Sequence, residues 1–273
     1  MKKIVLVLVC LLLVAGMVFA GGRADKTEEK LIAGVTLFPP MNFQDDNGNW
    51  TGFETEFALA VGAKLGMEVE FQLIDWSRKF LELQAGTINC IWNGMTANVV
   101  DSVTGRQRYE DVDFTYAYML NQQAVVIRAA RANDFQSPQD LVGKTVAAEA
   151  GSAGATIGTN AVGENGRLIG TTAQIDTFIE VKSGAVDFAL MDVLLAEQMA
   201  GSGDHTDLMI AAIEMPAEVY AIGFPKGSPM VARVNRVIVE LFESGEMLRL
   251  AEKYGLETRL YLNRTPIVEL IRN

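Results

Sequence analysis

The sequence predicts an α/β protein made of two units, each a central sheet flanked by helices. Between residues 31 and 92, strand-like and helix-like runs follow the order strand, helix, strand, helix, strand, the pattern of a parallel sheet with crossover helices. After Asn121 the same alternation begins again. The roughly 250 residues that would follow an N-terminal leader suit two ordinary domains. No repeat of fixed period and no low-complexity linker separates the halves.

Each element has a local reason. Residues 21–30 read as a polar tether, and the apolar run 31–35 is a first strand stopped by Phe38-Pro39-Pro40. Asp46-Asn47-Gly48-Asn49 signals a hairpin, because Asn-Gly tolerates the positive φ of a tight turn. Residues 54–65 place Phe57, Ala58, Val61 and Leu65 on one helical face, closed by Gly66. Residues 67–71 alternate as a strand, 77–85 form a second helix ending at Gly86, and 88–92 form the next strand. In the second unit, 124–127 is a strand, and Ser137-Pro138-Gln139-Asp140 opens a helix with an N-cap serine and a first-turn proline. A strand at 144–148, helices at 153–161 and 174–182, and a strand at 186–191 follow, the last delivering Asp192. A helix near 193–200, a strand at 219–224 and helices near 229–243 and 246–254 complete the pattern, with Gly255 as the last cap.

Met1-Lys2-Lys3, the apolar run 4–18 and Val18-Phe19-Ala20 read as a signal peptide, 1–20, cleaved after Ala20. Its loss removes Lys2 and Lys3 and no acid, so a net charge of −11 becomes −13. That surface repels nucleic acid and anionic membrane, so neither is an expected partner. Cys90 would then be the one cysteine left, in an apolar run, and reads as a buried inert thiol. His205 is the single histidine, in a loop-like stretch, which disfavours a zinc site and a Ser-His-Asp triad. No cofactor, metal or catalytic residue is expected.

Two opposite charges far apart in sequence carry the functional expectation. Arg108 has a rigid fork of donors suited to a carboxylate, with a solvated surface arginine as the alternative. Asp192 stands where a strand ends and a helix begins, so it either holds an ammonium or caps that helix. Gly151-Ser152-Ala153 opens a helix after a strand, which favours an anion or is plain turn punctuation. Together the three make a clamp for an α-amino acid, which bears one carboxylate and one ammonium on a single carbon.

Four segments resemble one family: 52–58, 93–96 with 108–115, 143–152, and 183–187 leading to Asp192. In this order they resemble the amino-acid-binding solute receptors of ABC importers, the bacterial extracellular solute-binding proteins of family 3. The resemblance implies a two-lobed periplasmic-binding-protein fold with two crossing hinge strands and the ligand in the cleft. It implies lobe 1 from 31–121 and 222–255, lobe 2 from 122–221, and hinges near 121–124 and 220–222. The tail 256–273 lies beyond it and is expected to pack on a lobe.

Residue by residue, the resemblance places Asn93, Gly94 and Thr96 on the first lobe's side of the cleft. Arg108 would take the α-carboxylate with the backbone N–H of Ala153 and the hydroxyl of Ser152, and Asp192 the α-ammonium. Phe38 and Trp76 would flank the ligand side chain or pack in the core. Relatives carry the arginine a few residues after the threonine, whereas here 97–105 intervenes, so a loop is lengthened and Arg106 rivals Arg108. Asn89 stands where relatives commonly have an acid. Glu149 would face the ligand side chain, favouring a polar or basic amino acid, or lie exposed at the strand end.

The implied partners are a free amino acid and an ABC permease in the inner membrane, with the chain acting extracytoplasmically as a monomer. Two rivals stay open: a cyclohexadienyl dehydratase-like enzyme on the same fold, and a ligand sensor for a membrane receptor.

Overall fold

The computed structural model describes residues 30–272. The expected leader 1–20 and all of the tether except Lys30 lie outside them.

In chain order the elements are β1 (Lys30–Val35), β2 (Phe43–Gln44), β3 (Trp50–Thr51), α1 (Phe53–Leu65), β4 (Glu68–Leu73), α2 (Lys79–Ala85) and β5 (Cys90–Ile91). There follow α3 (Arg108–Asp111), β6 (Asp113–Phe114), β7 (Ala117–Arg128), β8 (Thr145–Glu149), α4 (Ala153–Val162), β9 (Arg167–Thr171), α5 (Asp176–Ser183) and β10 (Phe188–Asp192). The chain ends with α6 (Val193–Met199), β11 (Leu208–Ile210), β12 (Ala217–Tyr220), β13 (Gly223–Phe224), α7 (Met230–Glu243), α8 (Glu246–Lys253), β14 (Leu260–Asn263) and α9 (Ile267–Leu270).

Two sheets organise the molecule. The first runs β4-β1-β5-β13-β6, with β1 parallel to β4 and β5 and the late strand β13 antiparallel to both its neighbours. The second runs β11-β7-β10-β8-β9, with β8 parallel to β9 and β10, and with β12 and β14 also paired to β7. The chain therefore leaves the first sheet along β7 and returns along β12 into β13. Leu31, Ala33 and Val35 share one face of β1 and are buried, while Ile32 on the other face is half-buried.

The differences from the sequence pattern have physical causes. Strand β7 covers twelve residues rather than 124–127, and runs unbroken through the hinge expected at 121–124. Its polar stretch Asn121-Gln122-Gln123 looked like a break, but Asn121 and Gln123 are buried and hydrogen-bonded to acids, so the strand continues. The strand expected at 219–224 is two strands, because β12 belongs to the second sheet and β13 to the first. The Ser137 segment forms its capping box yet only a single 3-10 turn, Pro138–Leu141. The helix expected from 174 starts at Asp176, because the carbonyls of residues 173–175 accept i→i+3 turn bonds from Asp176, Thr177 and Phe178.

The tail adds a third strand at the crossing. β14 pairs with the start of β7, Leu260 opposite Met119 and Asn263 opposite Ala117, while Met119 also lies opposite Tyr220 of β12. Ile267 of α9 is buried in a cluster with Ala97, Ala117, Val219 and Ala221.

Candidate functional site

A tightly closed polar cavity, with only about 10 Å³ of free space, is lined by residues from both sheets: Trp76, Asn93, Gly94, Thr96, Arg108, Glu149, Ser152, Ala153, Gln174 and Asp192. Larger grooves lie on the surface, such as one of about 300 Å³ between Tyr109, Phe114, Lys226 and Ile267, but it is more open and mostly apolar. Convergence of buried polar groups, rather than size, marks the enclosed cavity as the candidate site.

At one end sits a buried trio of charges. Arg108 opens α3 and is 1% exposed, with Nε 3.3 Å from Asp101 Oδ2 and Nη1 and Nη2 each 2.8 Å from the carbonyls of Thr96 and Gly151. Lys79 at the start of α2 pairs with the same Asp101 oxygen at 2.6 Å and donates to Gly151 O at 2.9 Å. Burial alone would raise the Asp101 carboxyl, but Lys79 and then Arg108 overcome this and hold it below the usual range. Burial, with Arg108 close by, pulls the Lys79 ammonium down to about 8. Asp101 lies in the lengthened loop, which closes on itself by a bridge between Val100 and Gln107. The extra residues thus supply the counter-ion for both cations.

The Gly151 carbonyl belongs to the β8–α4 turn, so both cations reach it from across the cleft. Thr156 Oγ1 of α4 donates in the opposite direction across the cleft, to Val100 O at 2.7 Å. The cleft is shut. Ser152 caps α4 by accepting from Ala155 N–H at 3.0 Å, which aims the first turn of a ten-residue helix at the cavity.

At the other end the groups are acidic. Asp192 ends β10, is 6% exposed and makes no side-chain cap to α6, so the capping alternative falls away. Its Oδ1 accepts from Asn121 Nδ2 at 2.6 Å and from the Tyr220 hydroxyl, and its Oδ2 from Gln174 Nε2 at 2.7 Å. Burial raises its carboxyl above the usual range despite these donors. Glu149, at the end of β8, is 2% exposed rather than solvated, and its Oε1 has no hydrogen-bond partner. Burial, and then the charge of Asp192, pushes Glu149 up to about 8.

Of the sequence-predicted residues, Trp76, Asn93, Gly94, Thr96, Arg108, Ser152, Ala153 and Asp192 surround this cavity. Phe38 does not; it is buried beside Gly94, whose φ of +55° disfavours a side chain and where an added Cβ would stand 2.6 Å from the Phe38 ring. Arg106 is an exposed partner of Asp111, leaving Arg108 as the arginine of the cavity. Asn89 bridges the backbone of β1 at Ile32 N and Lys30 O, each 2.8 Å away, so its contact is structural. Cys90 is fully buried, and burial pushes its thiol up.

Sequence reading missed Gln174, Glu218, Asn121, Gln123, Lys79 and Asp101. Polar residues spaced by two within the apolar strands β7 and β12 were the available signal for Asn121, Gln123 and Glu218.

The chain is 27% identical over 260 residues to the arginine-binding extracellular protein ArtP of Bacillus subtilis (strain 168), covering 93% of this chain and 98% of that protein. An ancestral arginine-binding protein bound to arginine superposes with a TM-score of 0.75 at 28% identity, over 83% of this chain and 98% of that one. An ancestral amino-acid-binding protein described as a precursor of cyclohexadienyl dehydratase gives 0.73 at 25%, over 82% and 95%. The family model for bacterial extracellular solute-binding proteins, family 3, matches residues 31–257. With the two-sheet architecture and the polar cavity between the sheets, that match leads to one conclusion: this chain belongs to the bacterial extracellular solute-binding proteins of family 3.

Proposed function

We propose that this chain captures a free amino acid with a cationic side chain by closing its two lobes, and presents the closed form to an ABC permease. The single observation behind this reading is the charge layout of one enclosed cavity, with Arg108 and Asp192 both lining it and Glu149 unpaired beside them. Arg108 has five N–H groups and spends three on protein acceptors. The remaining two, with Ala153 N–H at the start of α4, receive the α-carboxylate. Asp192, oriented by Gln174, receives the α-ammonium. Glu149 then receives the side-chain cation, which relieves a buried acceptor that is otherwise unsatisfied.

Lobe 1 is taken as 31–121 with 222–255 and lobe 2 as 122–221, with the 256–273 tail bracing the crossing. The chain acts as a monomer outside the cytoplasm after loss of 1–20. The lining residues named above are nearly inaccessible, so the lobes must part to admit a ligand. Contacts across the cleft then favour the closed form once it is bound. Buried carboxyls at Asp192, Glu149 and Glu218 oppose a prephenate-like dicarboxylate, which disfavours the dehydratase reading.

Calorimetry of the chain from Gly21 against the amino acids and prephenate tests this. Arginine, lysine or ornithine should bind, and Arg108→Ala and Asp192→Ala should each weaken binding by about a hundredfold, from roughly 2–5 kcal/mol. Glu149→Gln should cut the preference for arginine over citrulline by about tenfold, near 1.4 kcal/mol. Turnover of prephenate, or no amino acid binding at all, would sink the proposal.

A further inference from the structure

Asp192 is not the only anion at the ammonium end. Glu218, on the crossing strand β12, is 2% exposed. Strands β10 and β12 both pair with β7, Asp192 opposite Gln123 and Glu218 opposite Asn121. Residues two apart on β7 share a face, so the register brings both carboxyls to one side. Asn121 Nδ2 bridges them, 2.6 Å from Asp192 Oδ1 and 2.7 Å from Glu218 Oε2. Gln123 Nε2 lies 3.1 Å from Glu218 Oε2 and 3.4 Å from Asp192 Oδ1. Every one of these donors is neutral. Around the pair stand the carbonyl oxygens of Asn121 and Gln123, both buried and without a partner.

Two desolvated carboxylates bridged only by neutral amides cannot both ionise cheaply unless a cation joins them. The charged groups facing the pair do not supply one in contact. Arg108 attracts both from α3, but its three protein hydrogen bonds go to Asp101, Thr96 and Gly151 and none to the pair. Glu149 on β8 and Glu54 on α1 each feel the charge of Asp192, and the Tyr220 hydroxyl on β12 is bonded to it. Burial first, then Asp192, pushes Glu218 up to about 7.

We infer that Asp192 and Glu218 act as one unit that carries a proton in the unliganded protein and surrenders it when the ligand's ammonium arrives. This rests on the amino-acid reading above and makes Glu218 a positioning residue for the ammonium. The carboxyl O–H bond breaks, its proton leaves to solvent, and the pair passes from one negative charge to two as the ammonium brings one positive charge. Thr96 changes role in the same step. Its hydroxyl lies 3.0 Å from Glu218 Oε2 and lines the cavity. A neutral Glu218 can donate to that oxygen, whereas an ionised one accepts from it and leaves the Thr96 lone pairs to the ammonium. Capture therefore tightens with rising pH.

Two measurements test the inference, one of which needs no ligand. Carboxyl-selective carbon NMR of the ligand-free protein should find one proton retained by the pair to near neutral pH, and Glu218→Gln should return Asp192 toward the ordinary carboxylate range. Both acids titrating in that ordinary range would overturn the inference, whether or not any amino acid binds. Calorimetry with L-arginine in two buffers of different ionisation enthalpy counts protons. In a Glu149→Gln background, which removes the proton that the side-chain cation would displace from Glu149, about one proton per ligand should be released at about pH 6, so that affinity rises about tenfold per pH unit there. Adding Glu218→Gln to that background should weaken binding further and remove the slope. Binding without proton release, or release undiminished in Glu218→Gln, would overturn the inference while leaving the amino-acid reading intact.

Discussion

Asp101 shows how one residue settles the character of its surroundings. It is fully buried between Lys79 and Arg108, and neither cation has another acidic hydrogen-bond partner among those described here. Removing one partner of a buried charge group costs more than the pair contributes, because the remaining charge is left uncompensated. Asp101→Asn should therefore destabilise the folded protein by about 3–5 kcal/mol in urea unfolding. Arg264→Ala, which breaks an exposed pair with Glu243, should change stability by well under about 1 kcal/mol. At this scale the sequence was legible where chemistry forced a residue type, as with Arg108 and Asp192. It was illegible for Lys79 and Asp101, whose partnership spans a loop and a helix start and leaves no periodic trace.

Among the elements, the turn joining β8 to α4 makes a close backbone approach across the cleft. Gly151 has φ of +78°, and a Cβ there would stand 2.8 Å from Ser77 Cα and 3.3 Å from Trp76 O across the cleft. The near atom is backbone and cannot swing aside. Gly151→Ala should act as a wedge, leaving both lobes folded while arginine binds at least about tenfold more weakly, by roughly 1.4 kcal/mol. Solution scattering with saturating arginine checks this: the variant should keep the larger radius of the open form that the wild type loses. Helices capped by glycine and strands with apolar runs were readable from the sequence, because their signals are local. Strand β14 was not, since its pairing with β7 depends on a neighbour about 140 residues away, and Leu260, Tyr261 and Leu262 are only half-buried.

For the whole molecule the buried acids set the response to pH. Burial raises Glu54 to about 7, Glu149 to about 8 and Glu218 to about 7. An unfolded chain would release these protons in the ordinary glutamate range, so between there and about pH 8 the folded state holds more protons than the unfolded one. Stability then falls as pH rises through this window. Lys79, lowered to about 8, acts oppositely above that point, because the unfolded chain keeps its proton to higher pH. Melting temperatures of the ligand-free protein should fall from about pH 5 to about pH 8, and saturating arginine should flatten the curve. A ligand-free curve rising over that interval would contradict the assignment of protonated acids.

Trp76 gives the motion an optical signature. Of the three tryptophans, Trp92 is 1% exposed in a core edge-on to Phe57, and Trp50 packs beside Phe71 away from the cavity. Only Trp76 lines the cleft, at 4% exposure. Parting the lobes would wet its indole and spare the other two, so ligand-driven closure should appear as a blue shift in emission. Trp76→Phe should abolish that shift, giving the protein a built-in fluorescent sensor of its own closure.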